Sequence, residues 1–369
     1  MKVKLLPEEF SQIEQIRARE GFCPTGVDLA ARVFQVCYVD PESARLKNFQ
    51  LTRDKFVEFI KDSEPRLIGI EACSAVHFWS REFARYGHRC KVMSAASIKS
   101  FIGLDKNDSI DAVAILKGTF TPTIRDLGHR DLESQVLLNL FSVREQLIKQ
   151  STQGLNALRA VLYEHGAVVG RAGVARRDAL DTALESLLAK LQAESSRAYA
   201  SFDCATSALT GALDMLTEKL SAIDSRIISI AKSSTPCCHL MTIPSVGPLT
   251  AAALYAAMGN PDSSPSSRHF ASYLGVAPRN TGTGGKVTVL GIRHSGCAFA
   301  KRMLFMCALQ YLRRDREGRA KSSWLELRLN RKGCHMKLVC AVANRLARVA
   351  HALVRKGEDY EPLKCSLTS

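Results

Sequence analysis

The chain has 369 residues, a length typical of two or three domains of about 150 residues each. Its 51 Lys and Arg residues against 36 Asp and Glu residues give a formal charge of +15, and such an excess favours a polyanionic partner. Apolar residues make up 46% and charged residues 24% of the chain. This composition excludes a disordered, collagen-like or low-complexity protein.

Two features of the sequence bear on its cellular location. The long charge-free stretch 233–261 is interrupted by Pro236, Pro244, Gly247, Pro248 and Gly259, so we expect no membrane span. The N-terminal segment MKVKLLPEEFSQIEQ carries glutamates and no apolar core, so we expect no export signal. Together they predict a cytoplasmic protein.

The positive charge is concentrated in the last third of the chain. Residues 1–125 carry 19 basic and 16 acidic side chains, residues 126–235 carry 12 and 13, and residues 236–369 carry 20 and 7. Composition therefore suggests three domains with these bounds. An excess of this size is more than solubility requires, and nucleic acid is the natural counter-ion.

The first third alternates strand-like and helix-like segments. Strands are predicted within 25–40, where VFQVCYV is dense in β-branched and aromatic residues, and at 46–51, 66–72 and 89–94. Helices are predicted at 53–62 and 75–86. This order is typical of a mixed α/β sheet.

The middle third is predicted to be helical. Leucines and other apolar residues recur every three or four positions over 131–165 and again over 178–230. A Gly-marked break separates the two segments. The pattern fits an antiparallel hairpin, a dimerising coiled coil or a helical subdomain packed within one chain.

Four carboxylates are candidates for one site. Asp28 lies early in the first predicted strand, Glu71 ends another, and Asp108 and Asp111 open a predicted helix, KNDSIDAVAILKG. Positions i and i+3 share a helical face, so both aspartates can face the sheet. Converging carboxylates supply the hard oxygen ligands of a two-Mg²⁺ phosphodiester site. Singly, each residue also fits a structural role as a turn, strand-end or helix N-terminal residue.

The basic third contains two candidate phosphate-binding elements. The turn Pro-Ser-Val-Gly-Pro (244–248) opens an Ala-rich helix, as in helix-hairpin-helix elements whose backbone N–H groups bind DNA phosphate, and it also fits a plain connector. Residues 270–296 are predicted to be a helix end followed by a loop with five glycines. Basic amphipathic helices follow. The candidate nucleic-acid contacts are Arg279, Lys286, Arg293, His294, Lys301 and Arg302.

These motifs, in this order, resemble the DEDD-type insertion-sequence transposases related to the Piv invertase, which are guided by a bridge RNA. The resemblance covers nearly the full chain and includes IPSVGPLTA, YLGVAPRNTGTGGK and VANRLARVAHALV. It implies a RuvC-like, ribonuclease-H-type α/β domain, a central coiled coil and a helical C-terminal transposase domain with a helix-hairpin-helix-like element. It also implies two Mg²⁺ ions on Asp28, Glu71, Asp108 and Asp111, and DNA and a guide RNA as partners. Dimers or tetramers working at the bacterial nucleoid are implied as well.

The family's nucleophilic serine corresponds to Thr283, five residues beyond Pro278. A threonine hydroxyl can attack a phosphate when its proton is removed, although its methyl group adds bulk. Three alternatives remain: Thr283 is the nucleophile, Thr281 or Ser295 replaces it, or the protein binds nucleic acid without recombining it. A RuvC-like nuclease that uses water instead of a side chain is a further alternative for the whole protein.

Overall fold

The computed structural model describes residues 5–101, 107–170, 176–283, 286–292, 296–316 and 335–361. The chain forms two compact units. The first comprises the described residues up to Gln135 together with Met258–Phe270, and the second comprises Val136–Ala257 and the described residues from Ala271 onward. The three-domain division with bounds at 125 and 235 stays a prediction.

The first unit is built on a five-stranded mixed sheet with the strand order β3-β2-β1-β4-β5. Strands β1, β2 and β3 pair in antiparallel fashion, and β4 and β5 continue parallel to β1. This confirms the predicted mixed α/β sheet. The strands are β1 Cys23–Leu29, β2 Val33–Val39, β3 Leu46–Thr52, β4 Arg66–Glu71 and β5 Arg89–Met93.

Helices pack on both faces of this sheet. One face buries Phe34 of β2 with Phe56 and Trp79 from two helices, and the rings of Phe34 and Phe56 stack at 4.6 Å. The other face buries Cys37 and Val39 of β2. The helices of this unit are α1 Pro7–Glu20, α2 Arg53–Asp62, α3 Val76–Arg85, α4 Ala95–Lys99 and α5 Asp108–Phe120. Helix α2 has the predicted bounds, whereas α1 and α4 are additions to the predicted set.

The segment 25–40 forms two strands, and this corrects the position of Asp28. Strand β1 begins at Cys23 and β2 begins at Val33, and the two pair as an antiparallel hairpin. Asp28 is therefore the last residue but one of β1, not an early one. The sequence Ala-Ala-Arg between them lacks the Gly or Asn that signals a tight hairpin, so the local sequence does not mark this turn.

In the middle of the chain the described residues form three helices rather than two, namely α6 Leu132–Glu164, α7 Arg176–Glu194 and α8 Ser196–Ser233. The predicted helix over 178–230 is interrupted at Ser195, whose side chain accepts a hydrogen bond from the Ala198 N–H and caps α8. Leu158 of α6, Leu184 of α7 and Leu213 of α8 share one buried cluster. This packing matches the subdomain alternative.

The described residues of the last third form helices and a β-hairpin. The prediction of a helix end and a glycine-rich loop over 270–296 is wrong in part, because strands β6 Pro278–Thr283 and β7 Lys286–Ile292 pair there in antiparallel fashion. Cross-strand hydrogen bonds outweigh the low strand propensity of glycine. The helices are α9 Thr235–Met241, α10 Pro248–Met258, α11 Ser267–Tyr273, α12 Ala298–Arg316 and α13 His335–Lys356, with a short 3₁₀ helix at Pro261–Ser263. Among the described residues, no helix is long and apolar enough to span a membrane.

Candidate metal centre

Strand β1 presents Asp28 to helix α5. Side chains alternate between the two faces of a strand, so Asp28 shares its face with Gly26. A Cβ atom on Gly26 would lie 2.4 Å from both Ala112 O and Leu116 N of α5. The helix backbone therefore contacts the strand where only glycine leaves room for it, and Asp28 lies one step further along the same face.

The first turn of α5 carries the other two aspartates. Asn107 caps the helix, with its Oδ1 atom accepting a hydrogen bond from the Ser109 N–H at 3.1 Å. Asp108 and Asp111 follow in the first turn, where the positive end of the helix dipole favours carboxylates. The sequence prediction of a helix opening at KNDSID is confirmed.

Asp28, Asp108 and Asp111 form a compact group, here called the acidic trio. One carboxylate oxygen from each residue lies within 4.8 Å of the others, and Asp28 and Asp111 are partly buried while Asp108 is exposed. Like charges this close repel one another unless a cation or proton intervenes. Three hard oxygen donors that converge from a strand and a helix are suited to a divalent cation such as Mg²⁺. The residues present therefore fit a metal ion.

Glu71 is adjacent to the trio in the sheet but is not a member of it. It ends β4, and the parallel register opposes Val27 of β1 to Ile70 of β4, which places Asp28 and Glu71 at equivalent strand ends. Glu71 lies on the same face of the sheet as Gly69, since side chains alternate along a strand. This is the face that packs against α5, because a Cβ atom added to Gly69 would contact Thr119 of that helix. Of the four carboxylates expected to converge, three are brought together.

The polar side chains behind the trio are absent from the sequence prediction. Asn48 of β3 donates from Nδ2 to Ser109 O at 2.9 Å and to Ser109 Oγ at 2.8 Å. Gln35, which is opposite Asp28 in the β1–β2 register, donates from Nε2 to Asn48 Oδ1. Only strand pairing brings these residues together, so no local sequence signal marks them.

Lys91 binds the opposite end of α5. Its Nζ atom donates to the carbonyls of Gly118, Thr119 and Thr121 at 2.9–3.0 Å. Burial lowers the pKa of the Lys91 ammonium, and the three carbonyls supply the hydrogen bonds that a buried ammonium needs. A cation also suits the negative end of the helix dipole, so α5 is anchored at both ends.

The predicted nucleic-acid contacts that the structure describes belong to the second unit and differ in their surroundings. Arg279 in β6 is exposed, whereas the guanidinium of Arg302 in α12 forms two hydrogen bonds with the Glu145 carboxylate. Lys301 is partly buried. Arg293 and His294 lie outside the described residues. For Thr283 and Lys286 the structure describes the backbone. These two residues pair with each other at the end of the β6–β7 hairpin.

The turn before α10 has the predicted position. Ser245 adopts a left-handed conformation with φ 71°, which is uncommon for a residue with a side chain. Helix α10 begins at Pro248, where proline is favoured because the first helical N–H has no partner in the helix. The turn thus connects α9 to α10, and the helix-hairpin-helix interpretation stays a prediction.

The mixed sheet, with the acidic trio at the C-terminal end of β1 and the N-terminal end of α5, accords with a DEDD-type transposase domain of the RuvC-like fold family. A family model of IS110-type DEDD transposases matches residues 25–166, and a second model, described as the transposase IS116/IS110/IS902 family, matches residues 237–323. The chain belongs to this family of insertion-sequence transposases.

Similar proteins match 91% of this chain. A Sinorhizobium fredii protein named "Putative transposase y4pF/y4sB" is 30% identical over 91% of this chain and 84% of its own length. The transposase for insertion sequence element IS1328 of Yersinia enterocolitica is 28% identical over 91% and 97%. The transposase for IS1111A of Coxiella burnetii is 27% identical over 91% and 90%. These matches confirm the family that the motifs indicated.

Proposed function

We propose that this protein is the transposase of an insertion sequence, and that it cuts and rejoins DNA strands with divalent metal ions held at the acidic trio. The observation that carries the proposal is the convergence of Asp28, Asp108 and Asp111 within 4.8 Å at the end of the sheet. Glu71, at the equivalent end of the neighbouring strand, is proposed as the fourth ligand. Mg²⁺ is the proposed ion, since it prefers carboxylate oxygens.

The four carboxylates have a positioning role in this proposal. They would hold one or two divalent ions, and ions bound there would supply Lewis-acid stabilisation of charge on phosphate oxygens. Asp28 and Glu71 project from rigid strands, while Asp108 and Asp111 project from a helix anchored at both ends. Such support preserves the ligand geometry during the reaction.

Thr283 is the proposed nucleophile. Its Oγ atom attacks the phosphorus and loses its proton, one phosphorus–oxygen ester bond of the DNA breaks, and the released hydroxyl oxygen takes up a proton. The product is a phosphothreonine ester to DNA. Because the number of phosphoester bonds is unchanged, attack by another DNA hydroxyl on this ester can rejoin strands without an energy source.

The partners proposed for the protein are donor DNA, target DNA and a structured guide RNA. The net excess of 13 positive charges in residues 236–369 supports polyanion binding by this part of the chain. We propose the guide RNA, the assembly as a homodimer or homotetramer, and action at the bacterial nucleoid because of the family resemblance. The same resemblance leads us to propose a RuvC-like domain over 1–125, a coiled-coil region over 126–235 and a transposase domain over 236–369.

A search for a covalent protein–DNA adduct on a denaturing gel tests the proposal. The full-length protein is incubated with Mg²⁺, DNA carrying the ends of the element and RNA transcribed from its flank. Asp108→Asn and Thr283→Ala are both expected to abolish the adduct, whereas Thr283→Ser is expected to retain it. Thr281→Ala, on the same strand, is the matched control and is expected to form the adduct normally.

The other outcomes separate the alternatives. Strand cleavage that needs Asp108 but leaves no adduct indicates a hydrolytic RuvC-like nuclease. An adduct that persists in Thr283→Ala and disappears in Thr281→Ala assigns the nucleophile to Thr281. DNA binding without cleavage under any condition, unchanged in Asp108→Asn, contradicts the proposed activity.

A further inference from the structure

We propose that Asn48 is a positioning residue for the metal centre, acting together with Gln35 and resting on the proposed role of the acidic trio. Asn48 lies on β3, a strand that supplies no carboxylate to the trio. Its side chain is partly buried and bonds to the turn of α5 that carries two of the three aspartates. It connects that turn to the sheet.

Ser109 is the point of attachment on the helix. It lies between Asp108 and Asp111, and both its carbonyl and its hydroxyl oxygen accept hydrogen bonds from Asn48 Nδ2. The Ser109 N–H donates to Asn107 Oδ1. The backbone of Ser109, which follows Asp108 and precedes Asp111 by two residues, is thus hydrogen-bonded at its N–H and at its carbonyl. These bonds fix the direction in which the two aspartate side chains leave the helix.

Gln35 extends the same network to β2, the strand that pairs with the strand carrying Asp28. Gln35 is 6% exposed, and it lies directly opposite Asp28 in the register of the β1–β2 pair. By donating to Asn48 Oδ1 it orients the Asn48 amide, so that the Nδ2 group points toward Ser109. A continuous polar connection therefore runs from the residue opposite Asp28 to the residue between Asp108 and Asp111.

The role of this network is to set the distance between the ligands on β1 and those on α5. Carboxylates bind a cation well only when their oxygens converge to within a few tenths of an ångström of the required geometry. Removal of outer-shell partners typically costs about 10–100-fold in metal affinity. Because Asn48 bonds to the ligand-bearing backbone and not to a carboxylate, we expect a loss at the lower end of this range.

Manganese binding by the full-length protein tests the inference. Free Mn²⁺ is measured by electron paramagnetic resonance during titration of wild type, Asn48→Ala, Asp108→Asn and Gln50→Ala. Gln50 is an exposed residue on the same strand and face as Asn48 and serves as the control. We expect Asn48→Ala to weaken binding about tenfold, Asp108→Asn to remove the site, and Gln50→Ala to leave it unchanged.

A second measurement separates positioning from general destabilisation. Strand cleavage by Asn48→Ala should recover at about tenfold higher Mn²⁺, which a protein with a lower folded fraction would not do. If Asn48→Ala does not fold, Ser109→Ala, which removes one of the two acceptors, should weaken Mn²⁺ binding in the same direction. The proposed role of Asn48 is overturned if Asn48→Ala, or Ser109→Ala in its place, binds Mn²⁺ with wild-type affinity while Asp108→Asn has lost the site. Wild-type affinity in Asp108→Asn instead contradicts the proposed metal centre itself.

Discussion

At the residue scale, the first unit contains a histidine that is held neutral. His77 of α3 is partly buried, and this burial, together with the neighbouring charges of Arg130 and Arg81, lowers the pKa of its imidazole to about 4. The Arg130 N–H is directed at its Nδ1 atom. Protonation would place a third positive charge beside two arginines, so the folded protein favours the neutral ring.

This shift predicts an acid-dependent loss of stability. An unfolded histidine titrates near 6.5 and the folded one near 4, so the unfolded chain binds more protons between these values and stability falls as the pH is lowered through this window. The free energy of unfolding that is lost through protonation of His77 is at most about 3 kcal/mol. Thermal unfolding midpoints measured from pH 7 to pH 4 should fall less steeply in His77→Gln than in wild type.

The control for this prediction is His269→Gln, since His269 is an exposed histidine of the same unit. His88 contributes in the same direction, because burial also lowers its pKa, so the slope should be reduced but not abolished in His77→Gln. If the thermal midpoints of wild type and His77→Gln fall in parallel as the pH is lowered, His77 does not cause the acid-dependent loss of stability.

At the element scale, the close contact between α5 and the sheet controls the acidic trio. The helix approaches β1 at Gly26 and β4 at Gly69, and Lys91 and Asn48 bind its two ends. Lys117 of α5 adds a partly buried ion pair with Glu9 of α1 at 2.9 Å. Because Asp108 and Asp111 move with this helix, any change at its contact surface alters the site.

Substitution of Gly26 by alanine is expected to lower stability and weaken metal binding together. The new Cβ atom would meet helix backbone on two sides at 2.4 Å, and backbone cannot move aside as a flexible side chain can. Overpacking of this kind costs about 1–3 kcal/mol. The thermal midpoint and the Mn²⁺ affinity of Gly26→Ala should both decrease.

Gly211→Ala is the matched control, since Gly211 lies in α8 and a Cβ atom added there would have nothing within 4 Å. Alanine at this position favours the helix by roughly 0.5–1 kcal/mol, so the thermal midpoint should rise slightly and Mn²⁺ binding should not change. Normal metal affinity in Gly26→Ala would show that the position of α5 is not set by this contact.

At the scale of the whole molecule, charge is distributed unevenly along the chain, and this predicts where DNA binds. Arg279→Ala, in the basic last third, should weaken DNA binding and reduce the slope of log affinity against log salt by about 1, as for the loss of one phosphate contact. Arg45→Ala is the control because Arg45 is also exposed but lies in the nearly neutral first third. Fluorescence anisotropy at several salt concentrations measures both effects. Equal losses in the two variants would contradict the charge distribution as the basis of binding.

The helices and strands of the first unit are largely predictable from local sequence. Helix α2 has its predicted bounds because Phe56, Phe59 and Ile60 repeat at helical spacing. Strand β4 is predictable because its short apolar run lies between the polar residues Arg66 and Glu71. The break at Ser195 escapes prediction because the leucine repeat continues on both sides of it. The β6–β7 hairpin escapes prediction because its glycines favour a loop.

The sequence by itself determined the family, the mixed sheet and the four candidate carboxylates, since motif order and hydrophobic spacing are properties of neighbouring residues. Only the tertiary structure decided that Asp28 lies at the end of its strand, that three of the four carboxylates form a compact group, and that Asn48 bonds to Ser109, 61 residues away. Strand register sets these relations. Register depends on the simultaneous packing of both sheet faces, which no local segment of the sequence specifies.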